Sequence, residues 1–346
     1  MRAASSHAGG NEPSDDDSVA VKAYESLLES LAVPQALPPL TARTGNPNIR
    51  MADGVGGEAL TLDGGEVFNL VASETYAKLV SISYCSNASV IRAWTCSRCQ
   101  RVPSFIVHRT VFDTTWSLDA FTGYLPDHDA IVAVFRGTDN HQWSNWMQNL
   151  RFWRRTEQWH LPGAPVSAKV HAGFLNMWRQ SEMRTNITES LRVLRAAHPR
   201  AALVVTGHSM GAALAQFAAL TAKAVLGIEK VHAYTFGSPR VGNLAFTQFF
   251  QASVDSDWRF THERDVVPSL PPTIFGYHHT AREVYTVDVP DPLDPHAATG
   301  LDVTVCDASG EDPACHNSAC LLGLCTSVAD HLSYLTFQMY HSDAEC

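Results

Sequence analysis

The stretch AALVVTGHSMGAALAQFAAL, residues 201–220, combines an apolar run, a glycine-flanked serine and a second apolar run. The first run predicts a buried strand, and the second predicts a helix that follows after one sharp turn. Gly207 and Gly211 let strand and helix approach without a Cβ clash, while Ser209 takes a strained conformation at the apex. Gly-x-Ser-x-Gly is common by chance, but in this setting we interpret Ser209 as an outward-facing nucleophile. A purely structural tight turn is the alternative.

Length and charge limit the classes of function. The chain has 346 residues, of which 45% are hydrophobic, enough for one large α/β domain plus an extension. The formal net charge of -10 argues against a nucleic-acid partner and provides no attraction to anionic membranes. No apolar run approaches the ~20 residues that span a bilayer, so we expect no transmembrane segment.

The cysteines point to an oxidising compartment. There are eight, an even number: Cys85, Cys96, Cys99, Cys306, Cys315, Cys320, Cys325 and Cys346. The Cys-x-x-Cys spacing of the second and third is also a zinc signal, but no second pair with matching spacing follows, so disulfides are favoured. Disulfides, with glycosylation sequons at Asn87 and Asn186, predict a secreted glycoprotein. The first ten residues lack the apolar stretch of a secretory signal, so the true start is missing, the signal has been removed, or export takes another route.

Strands and helices are predicted to alternate from residue 66 onward. Apolar strands are expected to end at Phe135, Thr206, Phe236 and Thr261. Helices are expected between them, including one long helix over Phe174–Ala197. This order predicts an α/β fold with a mostly parallel central sheet that helices cover on both faces.

Residues 1–65 read differently from residues 66–346. The first part is predicted to be an N-terminal extension, partly disordered, and the second to be the catalytic domain. Within the extension, Val19–Val33 has apolar residues at helical spacing. This amphipathic helix is expected either to belong to a pro-piece or to pack on the body of the protein.

A serine hydroxyl is a weak nucleophile and needs a general base and a group that orients the base. In a fold of this kind the serine is followed along the chain by the acid and then by the histidine. Asp265 follows a predicted strand and precedes Val266 and Val267, which would hold it in a buried turn; Glu263 is the competing acid. Among the later histidines, His331 lies on a loop before a predicted final helix, from which a base can reach back over the sheet edge.

Backbone donors are also needed to bind the oxyanion of a tetrahedral intermediate. We assign one to the N–H of Met210, directly after the serine, and the second to Thr138, which follows another predicted strand. Arg136, in the same loop as Thr138, is predicted to be a buried ion-pair partner rather than a substrate contact.

The segment directly after the oxyanion loop, His141–Trp153, mixes large apolar and polar side chains. Trp143, Trp146 and Met147 predict a lid that covers an acyl groove when closed and faces lipid when open. A surface helix with its apolar face on the core is the alternative.

Seven segments in series resemble the class 3, fungal-type lipases of the α/β-hydrolase superfamily: Phe135–Thr138, Asn145–Trp146, Val170–Phe174, Gly207–Gly211, Tyr234–Asn243, Asp265–Pro268 with Leu270–Pro272, and Asp330–Leu332. The resemblance covers about residues 66–290 and 327–346. It implies an α/β-hydrolase fold with a Ser209–Asp265–His331 triad. By the same resemblance, Thr138 and Met210 form the oxyanion hole and Trp146 is the lid tryptophan.

The resemblance also implies two disulfide pairings, and the chain departs from the compact members of the family in two segments. It implies a long Cys85–Cys346 bridge and a short Cys96–Cys99 bridge. Residues 1–65 have no counterpart in the compact members of the family. A Cys-rich insertion at about residues 290–326 is expected to hold two extra bridges among its four cysteines. Because it lies between Asp265 and His331, the insertion is expected to border the active-site mouth.

Together these features predict a secreted serine carboxylic ester hydrolase, a triacylglycerol lipase that acts on lipid at an oil–water interface as a monomer. No cofactor or metal is expected. Phospholipase A1 and feruloyl-type esterase are alternatives on the same scaffold, although the lid tryptophans argue against the esterase. A catalytically inactive lipid-binding protein is a further alternative, which the intact serine, aspartate and histidine set disfavours.

Overall fold

The computed structural model describes residues 48–51, 59–62, 67–138, 156–158, 160–291, 298–320, 325–340 and 346. Its strands are β1 (Asn48–Met51), β2 (Ala59–Thr61), β3 (Val67–Asn69), β4 (Ile106–Asp113), β5 (Leu118–Leu125), β6 (Ala130–Phe135), β7 (Thr156–Gln158), β8 (Lys169–His171), β9 (Ala202–His208), β10 (Val231–Phe236), β11 (Gly242–Asn243), β12 (Ser256–His262), β13 (Tyr277–His278), β14 (Glu283–Pro290), β15 (Ala298–Val305), β16 (Ser333–Tyr334) and β17 (Phe337–Gln338). Its α-helices are α1 (Leu70–Ile82), α2 (Ala88–Ala93), α3 (Ala172–Gln180), α4 (Met183–Ala197), α5 (Met210–Leu226), α6 (Leu244–Ser253) and α7 (His316–Ala319).

Nine strands form the central sheet in the order β1-β15-β14-β12-β10-β9-β6-β5-β4. The five strands from β14 to β6 are parallel, and the pairs at both ends of the sheet are antiparallel. The predicted α/β fold is confirmed, with the parallel part confined to the centre of a mixed sheet. Short connections join β4 to β5, β5 to β6 and β14 to β15, and such connections suit antiparallel neighbours. α-Helices carry the chain from β6 to β9, from β9 to β10 and from β10 to β12, whereas two 3-10 turns and β13 lie between β12 and β14.

Two hydrophobic cores lie on opposite faces of this sheet. Along β9, Leu203 and Val205 belong to one core and Val204 to the other, because successive side chains of a strand alternate. The first core also holds side chains of α3, α4, α5 and α6, and the second holds side chains of α1. Helices therefore cover both faces, as the sequence predicts. No described helix is both long and apolar enough to cross a membrane.

The predicted single helix over Phe174–Ala197 is wrong, because the structure divides it into α3 and α4. Ser181 adopts an extended conformation that ends α3, and its Oγ accepts a hydrogen bond from the N–H of Met183 at 3.2 Å. The N–H of Glu182 donates to Asp113 Oδ2 at the end of β4, at 3.0 Å. The side chains of Ser181 and Asp113 thus accept main-chain hydrogen bonds that a continuous helix would make internally, and so they stabilise the break between α3 and α4.

The predicted final helix near His331 is also wrong. A short 3-10 turn at Asp330–Leu332 leads into the hairpin of β16 and β17. Leu335 and Thr336, which connect the two strands, have φ values of 50° and 67°. Positive φ at both residues is typical of a two-residue hairpin turn, which usually uses Asn-Gly and is hard to predict from Leu-Thr.

Parts of the predicted extension and insertion join the body of the protein. Strand β1, within residues 1–65, pairs antiparallel with β15, within the insertion, and lies at one edge of the central sheet. Strand β2 pairs with β3. The predicted helix Val19–Val33 lies outside the described residues.

All eight cysteines are in disulfides, as the even count predicts. The pairs are Cys85–Cys346, Cys96–Cys99, Cys306–Cys315 and Cys320–Cys325. The first two are the pairings that the resemblance implies, and the other two lie within the insertion. The Cys85–Cys346 bridge joins residues 261 positions apart and so ties the end of α1 to the chain's C-terminal residue.

Candidate active site

Ser209 lies at the turn between β9 and α5, where the sequence places it. Its φ of 58° and ψ of -129° are unusual for a residue other than glycine, and the residue is fully buried. A Cβ on Gly207 would lie 2.5 Å from the backbone of Gly211, and a Cβ on Gly211 would overlap the carbonyl oxygen of Phe135. Both glycines are therefore required by the close approach of helix to sheet.

His331 and Asp265 form a buried hydrogen-bonded pair beside this turn. The Nδ1 of His331 lies 2.7 Å from Asp265 Oδ2, and neither side chain is exposed. Asp265 Oδ1 accepts a hydrogen bond from the N–H of Val267 at 2.8 Å. Burial alone would raise the pKa of Asp265, but the adjacent His331 and the hydrogen bonds to the carboxylate hold that pKa below its usual value. Asp265 is thus a carboxylate suited to orient an imidazole.

The competing acid, Glu263, lies elsewhere. Its Oε1 accepts a hydrogen bond from the N–H of Asp288 at 2.9 Å, next to β14. Burial raises the pKa of Glu263. The geometry therefore favours Asp265 as the partner of His331.

Tyr334 and His208 complete the surroundings of His331, and neither was predicted from the sequence. The hydroxyl of Tyr334 donates to Asp265 Oδ2, the same oxygen that contacts His331. His208 Nε2 lies 2.8 Å from the carbonyl oxygen of His331, so this nitrogen carries the proton, and Nδ1 accepts from the Tyr84 hydroxyl at 2.5 Å. Burial, followed by the proximity of His331, holds the pKa of His208 well below its usual value, so His208 is neutral. The only sequence signal was position: His208 lies within the glycine-serine motif and Tyr334 three residues after His331.

The predicted oxyanion donors, Met210 and Thr138, lie in contact with each other. Met210 is the first residue of α5, where a helix leaves its N–H groups without intrahelical partners. The Thr138 hydroxyl lies 3.7 Å from the Met210 sulfur, and Thr138 is buried. A Cβ on Gly137 would lie 2.9 Å from the Ser209 Cβ, so this loop passes directly against the serine.

Arg136 is the buried ion-pair partner that the sequence predicts, and it holds the loop that contains Thr138. Its guanidinium pairs with Asp119 and donates to the carbonyl oxygen of Ser117 at 2.9 Å. Its main-chain N–H also donates to the carbonyl oxygen of Asp119 at 2.9 Å.

The proposed lid residues Trp143, Trp146 and Met147 lie outside the described residues. Within the described part of the chain, Ser209 Oγ has no hydrogen-bond partner. The insertion approaches the site from the acid side, where His316 contacts the main chain of Asp265.

Two clusters within the insertion have residue types that can bind metal ions. Each brings three ligand atoms within 4.8 Å of one another: His316, Cys320 and Cys325 in one, and Cys306, Asp312 and Cys315 in the other. In both clusters the two cysteines are joined to each other, so their sulfurs are not thiolates that could bind a metal.

Comparison with known proteins identifies the family of this chain. The family model for class 3 lipases matches residues 132–275. The secreted mono- and diacylglycerol lipase 1 of Fusarium solani is 36% identical over 206 residues, which are 59% of this chain and 57% of that relative. The lipase of Rhizomucor miehei is 30% identical over 292 residues, which are 80% of this chain and 72% of that relative. The chain belongs to the class 3 lipases.

A solved structure extends the likeness of this class 3 lipase to three dimensions. A triacylglycerol lipase whose catalytic centre is described as a serine protease triad matches with a TM-score of 0.66 and 26% identity. The match covers 82% of this chain and 98% of that one. The shared architecture is the α/β-hydrolase fold.

Proposed function

We propose that the chain is a serine carboxylic ester hydrolase that cleaves triacylglycerol through a Ser209–His331–Asp265 triad. The observation that carries the proposal is the strained, glycine-flanked Ser209 next to a buried His331–Asp265 pair. A serine held at a strand-to-helix turn, with a base oriented by a carboxylate, is the arrangement that acyl transfer needs. The chain order of serine, aspartate and histidine is that of α/β-hydrolases.

In the first half-reaction, Ser209 Oγ attacks the ester carbonyl carbon while His331 Nε2 takes the hydroxyl proton. The carbonyl π electrons move to oxygen, and the N–H groups of Met210 and Thr138 bind that oxyanion. The N-terminal end of α5 adds a favourable dipole at the same place. When the intermediate collapses, the bond to the alcohol breaks, and His331 gives its proton to the departing oxygen. An acyl-serine remains.

In the second half-reaction, water replaces the alcohol. His331 takes a proton from the water, the hydroxide attacks the acyl carbon, and the fatty acid leaves as Ser209 regains its proton. Asp265 stabilises the protonated imidazole in both halves and fixes its orientation, so that Nε2 faces the serine. No cofactor or metal takes part in this scheme.

The names of similar proteins support acylglycerols as substrates and raise a second candidate. One relative is named a lipase for mono- and diacylglycerols, and one solved structure is a triacylglycerol lipase. Cleavage of mono- and diacylglycerols with little action on triacylglycerol is therefore the second candidate. We further propose that Trp143, Trp146 and Met147 belong to a lid over the acyl groove, and that the protein is exported and acts at an oil–water interface.

The test is labelling and hydrolysis by the full chain. A fluorophosphonate probe should label the wild-type protein but not Ser209→Ala, and the variant should lose hydrolysis of p-nitrophenyl butyrate. Wild-type activity in Ser209→Ala would refute the triad. A panel of tri-, di- and monoacylglycerol, phosphatidylcholine and a feruloyl ester identifies the substrate class. Exclusive action on phospholipid or feruloyl ester would refute the acylglycerol assignment.

A further inference from the structure

A residue of the Cys-rich insertion contacts the backbone of the candidate acid. His316 begins α7, and its Nε2 lies 2.9 Å from the main-chain oxygen of Asp265. A carbonyl oxygen can only accept a hydrogen bond, so Nε2 carries the proton and donates it. His316 is 4% exposed, and burial is the largest of the effects that shift its pKa, which lies below its usual value. The imidazole is therefore neutral at neutral pH, with its single N–H directed at Asp265.

The start of α7 is fixed to the central sheet. The main-chain N–H of His316 donates to Glu283 Oε1 on β14 at 3.1 Å. That carboxylate is itself buried and pairs with Arg259 on β12 at 3.0 Å. Directly before His316, Cys315 is joined to Cys306 at the end of β15. His316 thus projects from a support that is anchored on three strands.

A second disulfide holds the other side of the ring. Cys320 follows α7 and is joined to Cys325, whose sulfur lies 3.3 Å from His316 Nε2. The main-chain N–H of Cys325 donates to Ser269 Oγ at 3.0 Å, just beyond the acid. The imidazole is therefore enclosed between the acid loop and this bridge.

A further bond joins α7 to the acid loop. Arg264, the residue before Asp265, donates from Nε to the carbonyl oxygen of Ala319 at 3.3 Å. The insertion therefore contacts the loop before the acid, at the acid and after it. Of these contacts, the His316 bond acts on the peptide group of Asp265 itself.

We propose that His316 is a positioning residue that sets where the Asp265 carboxylate meets His331, an inference that rests on the proposed function. The orientation of the Asp265 peptide group determines the direction of its Cα–Cβ bond and so the position of Oδ2. Without the His316 donor, a buried carbonyl oxygen lacks a partner, and the loop gains by turning toward another donor. That turn would lengthen the 2.7 Å contact between Oδ2 and His331 Nδ1. The insertion is thus a functional part of the active site.

Three single variants of the full chain test this role. His316→Leu removes the donor and keeps an apolar side chain, and His316→Gln places an amide N–H close to the position of Nε2. His279→Leu is the matched control, because His279 is also 4% exposed and lies 2.8 Å from the carbonyl oxygen of Pro268, in the same loop. Phosphonate titration counts the functional sites, and kcat and KM for p-nitrophenyl butyrate are expressed per titrated site.

We expect kcat of His316→Leu to fall about 10- to 100-fold with KM nearly unchanged, since a displaced catalytic group loses rate more than binding. His316→Gln should recover most of the loss. His279→Leu should lower the melting temperature by a similar amount but change kcat less than about threefold. The acid limb of the kcat/KM profile should move to lower pH in His316→Leu, because a poorly placed carboxylate stabilises the imidazolium less. A merely structural role would change the number of titrated sites and leave this limb in place.

The double variant Cys320→Ser/Cys325→Ser gives an independent test if His316→Leu does not fold. Loss of the Cys320–Cys325 bridge should also lower kcat and move the acid limb of the kcat/KM profile to lower pH. If the wild-type protein is active and the folded variants keep the same kcat per site and the same acid limb of the kcat/KM profile, the proposed role of His316 is overturned. The proposed function would stand. A wild-type protein that is neither labelled nor active would instead overturn the proposed function.

Discussion

Gly237 provides a direct test of how closely the position of His331 controls activity. Its φ is 56°, and a Cβ added there would lie 2.8 Å from His331 Cε1 and 2.9 Å from its Nδ1. The glycine cannot easily retreat, because its N–H donates to the carbonyl oxygen of Phe260 at 3.0 Å. Carbon atoms prefer separations of about 3.5–4.0 Å, so Gly237→Ala must displace the imidazole by roughly 1 Å.

The expected cost follows from that displacement. A misplacement of about 1 Å costs on the order of 100-fold in rate, or about 2.7 kcal/mol of transition-state stabilisation. An alanine in the left-handed region adds about 1–2 kcal/mol of strain to the folded state. The assay is kcat/KM for p-nitrophenyl butyrate per phosphonate-titrated site, together with urea unfolding.

Gly227→Ala is the matched control for strain without displacement. Gly227 has a φ of 65° after the end of α5, and a Cβ there would have no neighbour within 4 Å. We expect this variant to lose about 1–2 kcal/mol of stability and no activity per site. If Gly237→Ala kept more than half of the wild-type kcat/KM per site, the inferred dependence on imidazole position would be refuted.

Three further outcomes are expected. Tyr334→Phe removes one donor to the proposed catalytic carboxylate and should lower kcat about tenfold with little change in KM, as steady-state kinetics will show. Burial opposes charge on His262, but its contacts, with Asp288 foremost, raise its pKa to about 9. Because the pKa of His262 is higher in the folded than in the unfolded state, the charged side chain stabilises the fold. This contribution is complete below the unfolded-state pKa of about 6.5 and is lost as the pH rises through about 9. Between pH 7 and pH 10, the free energy of unfolding measured in urea should therefore fall more for the wild-type protein than for His262→Gln. An equal fall in both proteins would contradict this. Asn87 is exposed and precedes α2 as its N-cap, whereas Asn186 lies within α4 and its side chain donates to the carbonyl oxygen of Glu182 at 3.1 Å. When the protein is secreted from yeast, endoglycosidase treatment should change its electrophoretic mobility, and Asn87→Gln should remove the larger part of that change. An undiminished change in Asn87→Gln would show that the sequon at Asn186 is used instead.

The sequence predicted the parts of the fold that depend on local pattern. The strands before Ser209 and at Phe135 were predictable because continuous apolar runs of that length suit a buried parallel strand. The interruption at Ser181 was not, because it depends on an aspartate side chain that lies on β4. Likewise, β15 becomes a strand through its pairing with β14 and β1, and no local apolar run marks it.

The candidate site divides in the same way. Ser209 was predicted from a turn motif, Asp265 from chain order and its local sequence, and His331 from chain order together with the family resemblance, all of which are visible in one dimension. Tyr334 and His316 were missed as contributors because their contacts with Asp265 join residues that are 69 and 51 positions apart. A contact between residues that are far apart in the sequence produces no recognisable spacing of residues along the chain.

The pairing of β1 with β15 has a practical consequence for producing the protein. Composition suggests that the body begins near residue 66, and trimming there would delete β1. Strand β15 would then be the last strand of the sheet, with the backbone groups that Asn48–Met51 now pair left open along Leu301–Thr304. Such an open edge invites pairing between molecules and aggregation. Shortened versions that start before Asn48 should therefore remain dispersed at concentrations where a version starting at residue 66 precipitates.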